Sequence, residues 1–184
     1  MDSALCFDGH ARAWHPASTA LKQPQSAGTV PNMKKAERIF QLAQEGADAY
    51  RMFKLRRAGA DIPFVNEVIN RLKFLVAQEF GTDAVNRFLS KENGQSVDFW
   101  LEDEQTIVEM EFSILSEPPV LEKEAFKALL AKDSGNDVRH LILIGDPGSA
   151  LLSQAPTPAS IRQWMERRHQ IRVQIWELKD NSDA

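Results

Sequence analysis

Three carboxylates are spaced so that they could act together: Asp98, Glu109 and Glu111. They lie in the stretch SVDFWL-EDEQ-TIVEMEFS, residues 96–113, which alternates apolar and polar residues, breaks at four polar residues and alternates again. That is the signature of a β-hairpin. If Leu101 and Thr106 flank the loop, antiparallel pairing sets Asp98 opposite Glu109, and the two-residue period of a strand places Glu111 beside Glu109. Val97, Phe99, Leu101, Val108, Met110 and Phe112 then point the other way, toward a core. Clustered carboxylates repel one another unless a cation or a shared proton intervenes. Hard oxygen donors of this kind suit Mg²⁺ (or Mn²⁺), with the backbone carbonyl of Met110 as a further ligand. A metal held there would polarise a phosphate and supply hydroxide near neutral pH. The bland alternative is a solvated hairpin face with no function. Trp100 and Ile107 fall on the acidic face and argue that it is covered, while Glu102, Asp103 and Glu104 supply the wet loop.

The elements that must position the hairpin follow from periodicity. Residues 1–31 contain Pro16, Pro24 and Pro31 with no sustained period, and are expected to form a flexible tail ahead of one domain, residues 32–180. A helix is expected from Asn32, as its cap, through Ile39, Leu42, Ala43, Tyr50 and Phe53, with a possible break at Gly46. Pro63 opens a second helix whose stripe is Val65, Val68, Ile69, Leu72, Leu75 and Val76. A short helix over Asp83–Leu89, capped by Thr82, and a turn at Lys91–Gly94 lead into the hairpin. Beyond it, Glu122–Lys132 reads as a helix with Leu121, Ala125, Leu129, Phe126 and Leu130 turned inward. Val138–Gly145 reads as a strand buried on both faces, Pro156–Ser160 as a loop, Ser160–His169 as a helix and Ile171–Leu178 as a last strand. A strand–helix–strand step after a hairpin predicts an α/β fold, a mixed central β-sheet flanked by helices on both sides.

Composition narrows the classes. The chain has 184 residues, enough for one substantial core, and a net charge of −4 that argues against a mainly electrostatic, sequence-blind nucleic-acid binder. Cys6 is the single cysteine, so no intrachain disulfide and no cysteine-based zinc site can form. No run of apolar residues approaches a signal peptide or a membrane span, and a cytoplasmic location with no membrane partner is the expectation.

The order helix, strand with Asp, strand with Glu-x-Glu, helix, strand resembles the core of the PD-(D/E)XK nucleases over about residues 63–145. Asp98 matches the aspartate of that motif and Glu109-Met110-Glu111 its (D/E)-x-K element. The stretch Val108–Ser113, VEMEFS, is similar in particular to the BamHI/BglII-like restriction endonucleases, in which Glu or Gln replaces the lysine. What the resemblance implies is a restriction-endonuclease-like core and Mg²⁺-dependent hydrolysis of DNA phosphodiesters. Asp98 and Glu109 would be metal ligands, and Glu111 would bind metal or take a proton from the attacking water. A palindrome-cutting enzyme of this type would also be a homodimer. The departure is position 111, where glutamate cannot do the work of a lysine. A lysine moved to the following helix would be Lys123 or Lys127, although a solvated helix face paired with Glu122 and Glu124 is the favoured reading of both. Glu67 and Glu79 are the candidate acids from the helix before the hairpin. His140 and the basic helix end Arg162, Arg167, Arg168 and His169 have structural or solvated readings. Two alternatives stay open: a catalytically inactive nuclease-fold protein acting in nucleic-acid binding or assembly, and an unrelated α/β interaction domain whose acidic face meets a basic partner.

Overall fold

Five strands form one mixed sheet in the order β1-β2-β3-β4-β5, in a computed structural model that describes residues 34–53, 62–89, 96–112, 119–152 and 154–181. The strands are β1 (Val85–Phe88), β2 (Ser96–Leu101), β3 (Thr106–Glu111), β4 (His140–Gly145) and β5 (Arg172–Glu177). The first three are joined antiparallel and the last three parallel. Helices accompany them, among the described residues α1 (Lys35–Ala49), α2 (Ile62–Phe80), α3 (Pro119–Asp133), α4 (Ser149–Leu152) and α5 (Pro156–His169). The expected tail 1–31, the Asn32 cap and the Lys91–Gly94 turn lie outside the described residues.

Each face of the sheet buries its own core, because strands paired on both sides and covered on both faces can expose neither. On one face α1 and α2 pack Ile39, Leu42, Val68, Leu72 and Val76 against Phe99, Leu101, Val108, Met110, Ile142 and Ile144. On the other face α3 and α5 pack Leu121, Ala125, Ala128 and Met165 against Trp100, Ile107, Leu141, Leu143 and Val173. The two crossover helices, α3 and α5, therefore share a face, and this is the face that Glu109 and Glu111 address. Among the described residues no helix is long and apolar enough to cross a membrane.

Four expectations are corrected. Residues 83–89 are not a helix: a 3₁₀ turn at Thr82–Ala84 leads into β1, which pairs with β2 through Val85↔Phe99, Arg87↔Val97 and Phe88↔Ser96. The local pattern also fits a helix, but an extended chain closes the otherwise unpaired edge of β2, and tertiary pairing outweighs a weak local preference. Val97 packs with Trp100 and Ile107 rather than with Phe99, so alternation breaks at Asp98. The break faces Asn86, whose φ of 50° is left-handed and whose position interrupts the β1–β2 pairing. The segment Pro156–Ser160 is helical, as proline tolerates a first turn, rather than a loop. On α3, Phe126 is exposed and Glu124 is buried, the reverse of the expected pattern.

The β2–β3 connection also fastens α1. Lys34 at the helix start offers no side-chain cap, and the free amides of Lys35 and Ala36 donate instead to the Glu104 carboxylate at 2.5 and 3.3 Å. Asp103 pairs with the Lys35 ammonium at 2.8 Å, and this contact holds its carboxyl below the usual range. So the acidic loop is tied down rather than merely wet. A carboxylate on two terminal amides also complements the helix dipole. Glu104→Ala is expected to lower the unfolding free energy by about 1 kcal/mol, read from the midpoint of urea unfolding at unchanged slope. A midpoint within error of wild type would remove the cap from this account.

Candidate functional site

Asp98 and Glu109 meet where β2 and β3 part. Regular pairing runs from Leu101↔Thr106 through Trp100↔Ile107 to Phe99↔Val108 and no further. One residue on, the carboxylates take over the backbone groups that the ladder leaves free. Glu109 Oε2 accepts from the Asp98 amide at 3.1 Å, and Asp98 Oδ2 accepts from the Met110 amide at 2.9 Å. The expected juxtaposition of Asp98 with Glu109 is therefore present, built by reciprocal side-chain-to-backbone bonds. In an extended strand the N–H and C=O of one residue point to the same side. The Met110 carbonyl thus faces the same gap as Asp98.

The third acid is elsewhere. Glu111 stands on the α3 face beside Glu124, with the Lys123 ammonium 3.9 Å from its Oε1. Asp98 is ion-paired at 2.6 Å with Lys73 of α2, the helix on the opposite face. The acids thus divide into Asp98 with Glu109 and Glu111 with Glu124, instead of forming one row of three.

Lysines interleave them. Lys127 of α3 lies 3.0 Å from Glu109 Oε1 and 2.5 Å from Glu124 Oε2, and its side chain is only 11% exposed. Lys123 reaches Glu124 Oε1 at 3.1 Å but is 59% exposed. Burial first, then the charges of Asp98 and Glu124, push the Glu109 carboxyl well above its ordinary range, and Lys127 opposes them. Glu111 is pushed up to about 7 by burial and by Glu124, against Lys123 and Lys127. Burial alone would lower the Lys127 ammonium; Glu109 and Glu124 outweigh it and hold it above the usual lysine value, so it is charged at neutral pH.

Among the described residues no three His, Cys, Asp or Glu side chains are arranged as a cage for a metal ion. Mg²⁺ does not require one, because it takes one or two carboxylates and completes its octahedron with water and substrate oxygens. Asp98 and Glu109 fit that need. They are hard donors held side by side, and a cation would offset both the burial that chiefly raises Glu109 and the repulsion from Asp98 and Glu124 that adds to it. The residues that would hold the ion are Asp98, Glu109 and the Met110 carbonyl; Glu111, engaged with α3, is not among them.

The other sequence candidates stay outside. Glu67 is exposed, and Glu79 pairs with Arg38 of α1 at 3.2 Å. His140 registers with Thr106 and Arg172, at the end of the sheet remote from the Glu111, Gly145 and Glu177 register. The basic end of α5 precedes Arg172 and lies at that same remote end. Gly145-Asp146-Pro147-Gly148 is a turn, and Gly145 is required there because a Cβ would stand 2.6 Å from the Ser149 hydroxyl.

Two participants were not anticipated. Glu124 carries a readable signal, since it falls three residues after Leu121 and beside Ala125 within the stripe that continues through Ala128 and Ala131. Lys73 carries none, because a lysine next to Leu72 is ordinary on a half-exposed helix. Comparison with protein-family models, with curated proteins and with solved structures finds no match to this chain.

A carboxyl raised on folding stabilises the fold below its unfolded value and loses that contribution as pH rises through its folded value. For Glu111 the window runs from 4.5 to about 7. In the absence of divalent cations, the stability of wild type is expected to fall across this window relative to Glu111→Gln. Parallel stability–pH curves for the two proteins would refute the assignment.

Proposed function

We propose that the chain is a metal-dependent DNA endonuclease of the PD-(D/E)XK type, using Mg²⁺ or Mn²⁺. One observation carries this reading: a carboxylate pair, buried Glu109 and half-buried Asp98, sits where two strands part, with the Lys127 ammonium 3.0 Å from Glu109. The element order around it, helix, three antiparallel strands, helix, parallel strand, supports the resemblance seen in the motif.

Asp98 and Glu109 would hold the metal, and their bonds to the Met110 and Asp98 amides keep both carboxylates from turning away. A cation held there would supply Lewis-acid chemistry, polarising a phosphate and acidifying a water. Lys127 brings the positive charge that a lysine at position 111 would have brought, coming from α3 instead of from β3. Its charge would steady negative charge growing on the phosphate. Glu111, with a carboxyl that titrates at about 7, is matched to taking a proton from the attacking water at neutral pH. The water oxygen bonds to phosphorus as one ester P–O bond breaks, and the departing ester oxygen takes a proton from solvent and leaves as a hydroxyl. The partner is DNA, and cutting both strands at a palindrome calls for a second copy of the chain.

A second reading, an inactive protein of this fold that binds nucleic acid or serves in assembly, has one observation in its favour. Each of Asp98, Glu109, Glu111 and Glu124 already has a lysine within 3.9 Å. Plasmid incubation with Mg²⁺ or Mn²⁺ separates the two. Wild type is expected to cleave, and Asp98→Ala and Glu109→Ala are each expected to lose more than about 100-fold in rate, since even outer partners of a metal site cost that much. Binding of the plasmid with no cleavage would favour the second reading, and cleavage that survives both substitutions would clear this site of the activity.

A further inference from the structure

Helix α3 buries Val120, Leu121, Ala125, Ala128 and Ala131 against the sheet, and within that stripe Glu124 is 0% exposed. An apolar side chain would fill the place at no electrostatic cost, whereas a carboxylate there must be matched by cations. It is matched by two, Lys127 at 2.5 Å and Lys123 at 3.1 Å. They are not equivalent. Lys123 is mostly in solvent, while Lys127 is enclosed and spans from Glu124 to Glu109.

A lysine stem on a helix beside open water ordinarily extends its ammonium outward. Lys127 instead turns inward, and the group that turns it is on its own helix. Residues three apart are neighbours on a helix surface, so the spacing of Glu124 and Lys127 sets their pairing before any contact with the sheet is made. Glu109 then meets an ammonium that already has one fixed partner.

We infer that Glu124 is a positioning residue: it presents the Lys127 ammonium to Glu109 and so supplies from α3 the cationic group that position 111 lacks. Its consequence for catalysis rests on the nuclease reading; the placement of Lys127 does not. The ammonium donates a hydrogen bond to Glu109 and stands in ionic contact with Glu124, and two carboxylates from different elements fix where its charge acts. Glu111, next to Glu124, is held back from Asp98 by the same arrangement, which explains why the second glutamate of the Glu-x-Glu pair is not beside the first acid.

The test has two readouts. The first needs no activity: the full chain, free of metal, is labelled with acetic anhydride, and each lysine is followed by mass spectrometry. In wild type, Lys127 is expected to react far more slowly than Lys123. In Glu124→Gln the Lys127 rate should rise severalfold, while Lys132, tied to the His169 carbonyl at 2.7 Å, reports an intact helix by staying unchanged. Glu124→Asp keeps the charge and should fall between the two, and it serves where the glutamine variant does not fold. An unchanged Lys127 rate in a folded variant overturns the inference. The second readout is plasmid cleavage. Glu124→Gln and Lys127→Gln should each lower kcat by about 100-fold at unchanged KM, the scale of losing one preorganised charge, and the double variant should be no worse than either. Losses that multiply in the double variant would show two independent roles and overturn it. Wild type without cleavage would sink the nuclease reading alone, and the labelling would still decide the placement.

Discussion

The interaction on which this structure turns is the ion pair of Glu109 with Lys127, reached from β3 and α3 and largely withdrawn from water. Glu109 is 2% exposed and would be untenable as a lone charge. At 3.0 Å and an effective dielectric constant of about 20, the pair attracts by roughly 5 kcal/mol. Withdrawing each ion from water costs several kcal/mol. The cost outweighs the attraction, as the raised Glu109 carboxyl reflects, so the pair does not stabilise the fold, and apolar residues in its place would serve it as well. Its presence calls for another role, and a reactive centre is the role proposed for it.

What holds this pair in register is an unusual division of labour at the end of the sheet. Between Leu101↔Thr106 and Phe99↔Val108 the backbone keeps β2 and β3 together. Past that point the carboxylates of Asp98 and Glu109 replace the missing ladder bonds, and each fixes the other's strand. The Met110 carbonyl faces the gap that opens, while β4 holds the far edge of β3 through Met110↔Ile144 and Glu111↔Gly145. The small residues Ala125, Ala128 and Ala131 line the inner face of α3, so a lysine and a glutamate of that helix can reach strand side chains directly. On the other face α2 contributes Lys73 to Asp98. The site is thus gripped from both layers, with the sheet between them.

Much of this was legible in the residues. The alternation of SVDFWL and TIVEME dictated two strands, and a loop between Leu101 and Thr106 dictated their register, so Asp98 and Glu109 had to be neighbours. The buried run LILI required a strand covered on both sides. A carboxylate at 124 within a stripe of leucine and alanines was visible too, although charge weighed against burying it. The strand Val85–Phe88 was not legible, because its residues suit a helix as well and only the open edge of β2 decides between them.

The sequence by itself therefore determined the local periods: which segments coil, which extend, and which two acids face each other across a hairpin. Those properties depend on neighbours within a few residues, where sterics and side-chain spacing rule. The tertiary structure alone decided that Asp98 turns to Lys73, that Glu111 leaves the row to join Glu124, and that Lys127 is enclosed while Lys123 stays wet. Charges choose partners across tens of residues by which groups lose their water together, and that loss is settled only when helices close on the sheet.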